Sequence, residues 1–159
     1  MDYRVYTDGS CVISTKNGGY GYVVTVEDKS IAEDHQSYKN TTNNRMELRA
    51  LLAAMKYIDS IAMPGDSVIF YTDSAYIANC FKDKWYKKWL ANGWRTANRV
   101  AVKNVDIWKL ILHEYRFSKI EYRIEKVMGH TGDVWNEYAD QLANSWRGED
   151  EENFIIDQD

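Results

Sequence analysis

The chain alternates short apolar runs that have the periodicity of strands with longer stretches that have the periodicity of helices. Residues 3–7, 19–26 and 30–39 are rich in β-branched and aromatic side chains, and a polar turn separates the last two runs, which predicts an antiparallel meander. Residues 67–72 are continuously apolar, which is typical of a strand buried on both faces. Over residues 119–127 apolar and charged side chains alternate, which predicts a strand with one face in water.

The stretches between these strands carry apolar residues at helical spacing. We expect a helix from Glu47, a short helix after Asp73, a helix over residues 105–115, and a last helix whose apolar stripe runs from Trp135 to Trp146. The resulting order of elements predicts an α/β fold with a mixed sheet that is covered by helices on both faces.

The net charge of −4 conceals two opposite blocks. Residues 148–159 hold six acids and no base, so the rest of the chain carries +2. Residues 82–103 hold seven bases against one acid. We therefore expect the basic segment to face a polyanion, and we expect the acidic tail to be disordered. The length of 159 residues suits one domain with a real core.

Two features bear on the compartment. No apolar run approaches the length that spans a bilayer, and the first residues, MDYRVYT, lack the basic and apolar regions of a signal peptide. The two cysteines, Cys11 and Cys80, have no partner pattern for a metal, and free thiols are typical of a reducing cytosol. These observations predict a cytoplasmic protein with no membrane partner.

The tripeptide Tyr-Thr-Asp closes two of the predicted strands, once at Asp8 and once at Asp73. Taken singly, Asp8 could begin an Asp-Gly turn and Asp73 could cap the helix that follows it. In open α/β sheets, however, ligands bind at the carboxyl ends of the strands. The repetition therefore indicates two carboxylates that lie side by side on adjacent strands.

Two further acids occupy unusual positions on helices. Glu47 lies on the apolar stripe of its helix, where burial of an unpaired carboxylate is costly. The alternative is a capping box, Asn44-x-x-Glu47, which would place Glu47 in the first turn of the helix. Asp140 lies at the edge of the apolar stripe of the last helix, from which it can reach over the rim of the sheet. The alternative is an ordinary solvated aspartate on the helix surface. Four acids from four elements have the composition of a magnesium site, and two ions held by shared carboxylates are the usual apparatus for attack on a phosphodiester.

His130 stands in the sequence MGHTGD, between the last strand and the last helix. Glycines on both sides predict a mobile loop, which suits a proton carrier better than a packed residue. A structural or merely exposed histidine is the alternative.

A set of motifs, in this order, resembles the type 1 ribonucleases H over roughly residues 3–147. The motifs are TDGS (7–10), TTNNRMELRA (41–50), YTDSAY (71–76), GWRT (93–96), VKNVDIW (102–108), GHTGD (129–133) and NEYADQLA (136–143). The resemblance implies a five-stranded mixed sheet with its first three strands antiparallel, in a catalytic domain of residues 1–147 that precedes the tail 148–159. It also implies hydrolysis of the RNA strand of RNA–DNA hybrids, which leaves 5′-phosphate and 3′-hydroxyl ends.

The resemblance assigns roles to particular residues. Two Mg²⁺ ions, for which Mn²⁺ can substitute, are expected on the same four acids, Asp8, Glu47, Asp73 and Asp140. His130 falls on a loop histidine that assists proton transfer or product release. The residues expected at the RNA strand are Cys11, Asn43 and Asn44. The residues expected at the DNA strand are Thr42 and Asn104 at one phosphate and, along the basic protrusion of residues 82–103 and beside it, Tyr76, Trp85, Lys87, Lys88, Trp89 and Arg95.

The basic protrusion has less specific interpretations. Trp85 and Trp89 could serve only as packing that holds the segment together, and the lysines could form a solvated charged face. The interleaving of seven bases with three tryptophans favours phosphate binding.

Three functions remain in competition. The first is a monomeric ribonuclease that is specific for RNA–DNA hybrids. The second is a different nuclease or a strand-transfer enzyme on the same fold, although such proteins usually carry further domains. The third is a catalytically dead binding module, which would lack one of the carboxylates. All four acids are present, so the sequence favours the ribonuclease.

Overall fold

The computed structural model of the chain describes residues 1–96, 98–127 and 133–157. The helices and strands, together with two short 3-10 turns, follow one another along the described chain: β1 (Asp2–Cys11), β2 (Gly18–Val26), β3 (Lys29–Lys39), α1 (Asn43–Ile61), β4 (Ser67–Thr72), α2 (Ala75–Lys82), α3 (Trp85–Asn92), α4 (Val105–Phe117), β5 (Tyr122–Lys126), α5 (Val134–Ala143), the turns Ser145–Gly148 and Glu151–Asn153, and β6 (Ile155–Ile156).

The strands of the described residues form one mixed sheet in the order β5-β4-β1-β2-β3-β6. β1, β2 and β3 pair antiparallel, whereas β4 runs parallel to β1 and β5 runs parallel to β4. The predicted mixed α/β sheet is therefore confirmed. The sheet has six strands instead of five, because the two-residue β6 adds itself in parallel to the outer edge of β3.

Helices cover both faces of the sheet. Successive side chains of a strand point to opposite faces, so each strand contributes to the packing on both. On β1, Val5 packs into the large core that α1 and α4 complete, while its neighbour Tyr6 packs into a smaller cluster with Ala139 of α5. Asp8 has the parity of Tyr6, so its side chain faces α5. Among the described residues, no helix is both long enough and apolar enough to cross a bilayer.

Helix α1 begins four residues before the predicted start at Glu47. Thr42 is its N-cap, and the Thr42 hydroxyl accepts a hydrogen bond from the Arg45 N–H at 3.2 Å. The polar residues between the cap and Glu47 hid this start from the apolar periodicity. The capping box of Asn44 and Glu47 is wrong, since Glu47 lies beyond the first turn and needs another reason for its place on the buried side.

The expected disorder of the acidic tail is wrong for residues 148–157. Phe154 is buried and packs edge-on against Trp146, with ring centroids 6.4 Å apart. Asp157 is only 1% exposed. Burial raises its pKa, but hydrogen bonds from Arg45, Arg49 and Thr41 lower it, and the net result is a pKa of about 2. The acidic composition suggested a solvated tail because the sequence alone did not reveal cationic partners for Asp157.

Candidate active site and nucleic-acid interface

The pairing of β1 with β4 brings Asp8 and Asp73 together. The parallel register ends at the pair Thr7 and Thr72, so the next residue on each chain is an aspartate. Adjacent strands lie about 4.8 Å apart. The Thr7 hydroxyl fixes this end of the ladder by donating to the Tyr71 carbonyl at 3.0 Å. The arrangement predicted from the repeated Tyr-Thr-Asp is what the sheet produces.

The simpler roles for these two aspartates are wrong. Asp8 lies inside β1 and pairs with Gly21 of β2, so it does not begin a turn. The N-cap of α2 is Ser74, whose hydroxyl accepts from the Ile77 N–H at 3.1 Å, so Asp73 does not cap that helix. Asp73 is exposed beside the sheet end and has no capping role there.

Glu47 reaches the same sheet end because α1 lies directly on Gly9. A methyl group at Gly9 would stand 2.4 Å from the Glu47 backbone nitrogen, which is closer than any real contact, so only glycine permits this approach. Burial raises the pKa of the half-buried Glu47, a hydrogen bond with Ser74 lowers it, and the charge of Asp73 raises it. Glu47 and Asp73 are thus electrostatic neighbours.

Asp140 approaches Asp8 from α5, on the face of the sheet opposite to α1. The pKa of Asp8 is raised to about 8. Burial, a hydrogen bond with Asp140 and the negative charges of Asp140 and Glu47 raise it, whereas a hydrogen bond from the Gly9 N–H lowers it. Asp8 therefore keeps a proton at neutral pH. Burial is the largest cause, the neighbouring carboxylates add to it, and no positive side chain of the described residues is among the groups that shift this pKa.

A polar chain that sequence reasoning missed orients Asp140. The Asn144 side-chain amide donates to the Asp140 carboxylate at 3.3 Å and to the Asp140 carbonyl at 2.9 Å. The Ser10 hydroxyl donates to the Asn144 side-chain oxygen at 2.7 Å. The i, i+4 spacing of Asp140 and Asn144 was visible in the sequence, but the link to Ser10 joins positions 134 residues apart.

The carboxylates stand as two pairs, Asp8 with Asp140 and Glu47 with Asp73. Within residues 1–96, 98–127 and 133–157, no group of three or more His, Cys, Asp or Glu side chains could hold a metal ion as it stands. The four acids are neighbours at one sheet end, and coordination of one ion by three of them requires side chains to turn. His130 lies outside the described residues, and its role remains a prediction.

The basic protrusion forms one wall of a cleft of about 530 Å³. Six of the residues expected at the DNA strand line it, namely Tyr76, Trp85, Lys88, Trp89, Arg95 and Asn104, and so does Asn44. The cleft-facing residues of α3 recur at helical spacing, at Trp85, Lys88, Trp89 and Asn92. Lys103, which also lines the cleft, was counted among the bases but was not predicted as a site residue.

Two predicted DNA contacts, Lys87 and Thr42, do not line this cleft. Lys87 is exposed on another face of α3. The packing interpretation holds for Trp89, which is 8% exposed and lies edge-on to the buried Trp108 at 5.3 Å between ring centroids. Trp85 is half-buried and retains a face in the cleft.

The residues expected at the RNA strand gather at the start of α1. Asn43 and Asn44 are exposed in its first turn. The half-buried Cys11 thiol lies 3.6 Å from the Thr41 carbonyl, just before this turn. Burial raises the pKa of the Cys11 thiol, so it is present as the neutral thiol. Cys11 and the two asparagines therefore lie on the same side of the carboxylates.

Arg45 connects this turn to Asn104, and sequence reasoning missed it. The buried guanidinium donates to the Asn104 side-chain oxygen at 3.2 Å, while the Arg45 N–H donates to Thr42. The two residues expected at one DNA phosphate thus share one neighbour. Arg45 stands in the motif TTNNRMELRA, but its position beside exposed asparagines gave no signal that it is buried.

Comparison with known proteins agrees with this geometry. The family model described as RNase H matches residues 1–147. A ribonuclease H of Syntrophomonas wolfei is 39% identical over 143 residues, which are 89% of this chain and 92% of that protein. The crystal structure of LC9-RNase H1, described as a type 1 RNase H with the type 2 active-site motif, superposes with a TM-score of 0.76 at 28% identity, covering 99% of this chain and 77% of that one.

LC11-RNase H1, solved in complex with an RNA/DNA hybrid, shares the fold with a TM-score of 0.66 at 20% identity, over 89% of this chain and 94% of that one. The sheet order, the four carboxylates at one sheet end and the match over nearly the whole chain lead to one conclusion: this chain belongs to the RNase H family.

Proposed function

We propose that this ribonuclease H hydrolyses the RNA strand of RNA–DNA hybrids with two divalent metal ions, held by Asp8, Glu47, Asp73 and Asp140. The observation that carries the proposal is the crowding of these carboxylates at the carboxyl ends of β1 and β4. A solved relative of the same fold holds an RNA/DNA hybrid, which supports the choice of substrate.

The donor set fits hard divalent cations. All four groups are carboxylates, which Mg²⁺ and Mn²⁺ prefer over nitrogen and sulfur ligands. The raised pKa of Asp8 shows that burial and neighbouring acids oppose its ionisation. A cation between the carboxylates would remove that cost, and the hydrogen bond from Asn144 would keep the Asp140 carboxylate turned toward it.

The reaction is an in-line displacement at phosphorus. The oxygen of a water molecule forms a bond to phosphorus and gives up a proton, the bond to the 3′ oxygen breaks, and that oxygen takes up a proton, which leaves 5′-phosphate and 3′-hydroxyl ends. Ions held by these carboxylates would polarise the phosphoryl group and lower the pKa of the attacking water. We assign transfer of protons or release of product to His130.

The chain's own side chains hold the hybrid. We expect Asn43 and Asn44, which are exposed in the first turn of α1, to meet the 2′-hydroxyl groups that distinguish RNA from DNA in the minor groove. The cleft offers Lys88 and Arg95 to the phosphates of the DNA strand, and Trp85 to its sugars. We further propose that Mg²⁺ is the working metal and that the enzyme acts as a monomer in the cytoplasm.

The first test concerns substrate and carboxylates together. With Mg²⁺, the protein should cleave the RNA strand of a hybrid and leave double-stranded RNA and DNA of the same sequence intact. Asp73→Asn should lower kcat by roughly a hundredfold or more, because it removes charge from the metal site. The matched control is Asp59→Asn, twelve residues beyond Glu47 on α1, which should retain activity. Full activity of Asp73→Asn would contradict the metal-ion reading.

The second test concerns the charge of Asp8 in the metal-free protein. Its pKa is 3.8 when unperturbed and about 8 in the fold, so the stability it contributes is complete below pH 3.8 and is lost as the pH rises toward 8. Asp8→Asn should therefore raise the Tm of the metal-free protein at pH 8 by roughly 3 °C or more, and should change it little at pH 4. Thermal melts in a chelator decide this, and an equal change at both pH values would contradict it.

The third test separates cleft lysines from surface lysines. Lys88→Ala with Arg95→Ala should raise KM roughly tenfold and leave kcat nearly unchanged, because phosphate contacts bind ground state and transition state alike. Each lost contact should also flatten the slope of log K against log salt by about 0.7–0.9. Lys87→Ala, outside the cleft, is the matched control and should change less. If Lys87→Ala raised KM as much as the double variant of Lys88 and Arg95 does, the protrusion would act only as a general charged face.

A further inference from the structure

The end of the chain forms a strap, residues 149–157, along the outer edge of the sheet. At its start, the Ser37 hydroxyl of β3 donates to the Glu149 carboxylate at 2.7 Å. Farther on, Phe154 is buried against Trp146. Then Ile155 and Ile156 pair with the last residues of β3, and the Asp157 N–H donates to the Lys39 carbonyl at 2.9 Å. The strap therefore delivers the Asp157 carboxylate to a fixed place.

That place is a buried cationic centre at the start of α1. Asp157 accepts hydrogen bonds from the Arg45 Nε at 2.8 Å and Nη2 at 3.0 Å, and from the Arg49 Nε at 3.1 Å. The Thr41 hydroxyl donates to the same carboxylate at 2.7 Å. Arg45 is 2% exposed and Asp157 is 1% exposed. A carboxylate that neutralises two neighbouring guanidinium groups in a buried site cannot be removed without rearrangement.

The other side of the Arg45 guanidinium faces the hybrid-binding residues. It donates to both oxygens of Asp106, at 2.8 and 3.0 Å, and to the Asn104 side-chain oxygen at 3.2 Å. Because the guanidinium is a rigid planar fork, the carboxylates of Asp157 and Asp106 together fix its plane. The plane then decides where the Asn104 side chain points, and Asn104 lines the cleft.

We propose that Asp157 is a positioning residue for substrate binding: the strap holds Arg45 in the orientation that presents Asn104 and the Thr41–Asn44 turn to a phosphate of the hybrid. The inference rests on the proposed function for the identity of the ligand. The strap acts through Arg45, which bonds Asn104, so we assign its contribution to binding and not to the chemical step.

Loss of the Asp157 charge has a definite consequence. Arg45 and Arg49 would then be two like charges beside each other, and the carboxylate of Asp106 bonds Arg45 but is not among the described partners of Arg49. The guanidinium of Arg45 would turn toward Asp106, the Thr41 hydroxyl would lose a charged acceptor, and Asn104 would lose its fixed orientation. Phosphate binding weakens as a result, while the four carboxylates keep their places.

The experiment compares Asp157→Asn with the parent protein in two assays. Affinity for a hybrid is measured in a chelator by fluorescence anisotropy, and cleavage is measured with Mg²⁺ at a temperature well below both melting points. We expect affinity to fall about tenfold, KM to rise by the same factor, and kcat to stay within about twofold. The matched control is Asp150→Asn, another acid of the strap, which is exposed and caps only a local turn.

A second variant keeps the test decisive if Asp157→Asn does not fold. Asp106 holds Arg45 from the other side and is 44% exposed, so Asp106→Asn removes the same restraint with less disturbance of the core. It should raise KM in the same direction. Unchanged affinity and KM in every folded variant of this pair would overturn the inference, and so would a loss confined to kcat. Failure of the parent to cleave any hybrid would instead contradict the proposed function, and the anisotropy result would still decide the role of Asp157.

Discussion

The parallel pairing of β1 with β4 is the constraint on which the rest of the site depends. The register ends at Thr7 and Thr72, so the next residue on each of the two adjacent chains is an aspartate, Asp8 or Asp73. The glycine after Asp8 lets α1 lie on the strand and bring Glu47 to the same point. Asp140 comes from α5 on the opposite face. The backbone thus brings together groups that repel one another, and burial together with this crowding raises the pKa of Asp8.

Substrate binding depends on a second electrostatic centre with the opposite balance. Among the residues that the structure describes, the carboxylates of Asp106 and Asp157 pair with the guanidinium groups of Arg45 and Arg49 in a largely buried site. The protein therefore separates its two tasks. We propose that the crowded carboxylates bind metal ions, and that the paired charges around Arg45 give the turn at Thr41–Asn44 and the cleft a fixed geometry. The acidic tail belongs to the second centre, although its composition suggested a solvated end.

The sequence predicted those site residues whose positions follow from the periodicity of a single strand or helix. The strand that ends in Tyr-Thr-Asp and the glutamate on an apolar helix stripe both follow from periodicity, and the structure brings these acids together. The start of α1 was missed because its first turn is polar and its cap, Thr42, resembles a loop residue. Asp157, Arg45 and the link from Ser10 to Asn144 were missed because each joins residues more than a hundred positions apart or buries a charge that composition places in water.

Calorimetric titration of the metal-free protein with Mg²⁺ in buffers of different ionisation enthalpy tests the central claim most directly. If burial and the neighbouring carboxylates hold a proton on Asp8 at neutral pH, the first bound ion must displace that proton. The account predicts release of about one proton per protein at pH 7, little release at pH 9.5, and little at either pH for Asp8→Asn. Mg²⁺ binding at pH 7 with no proton release, or with the same release from Asp8→Asn, would contradict the account.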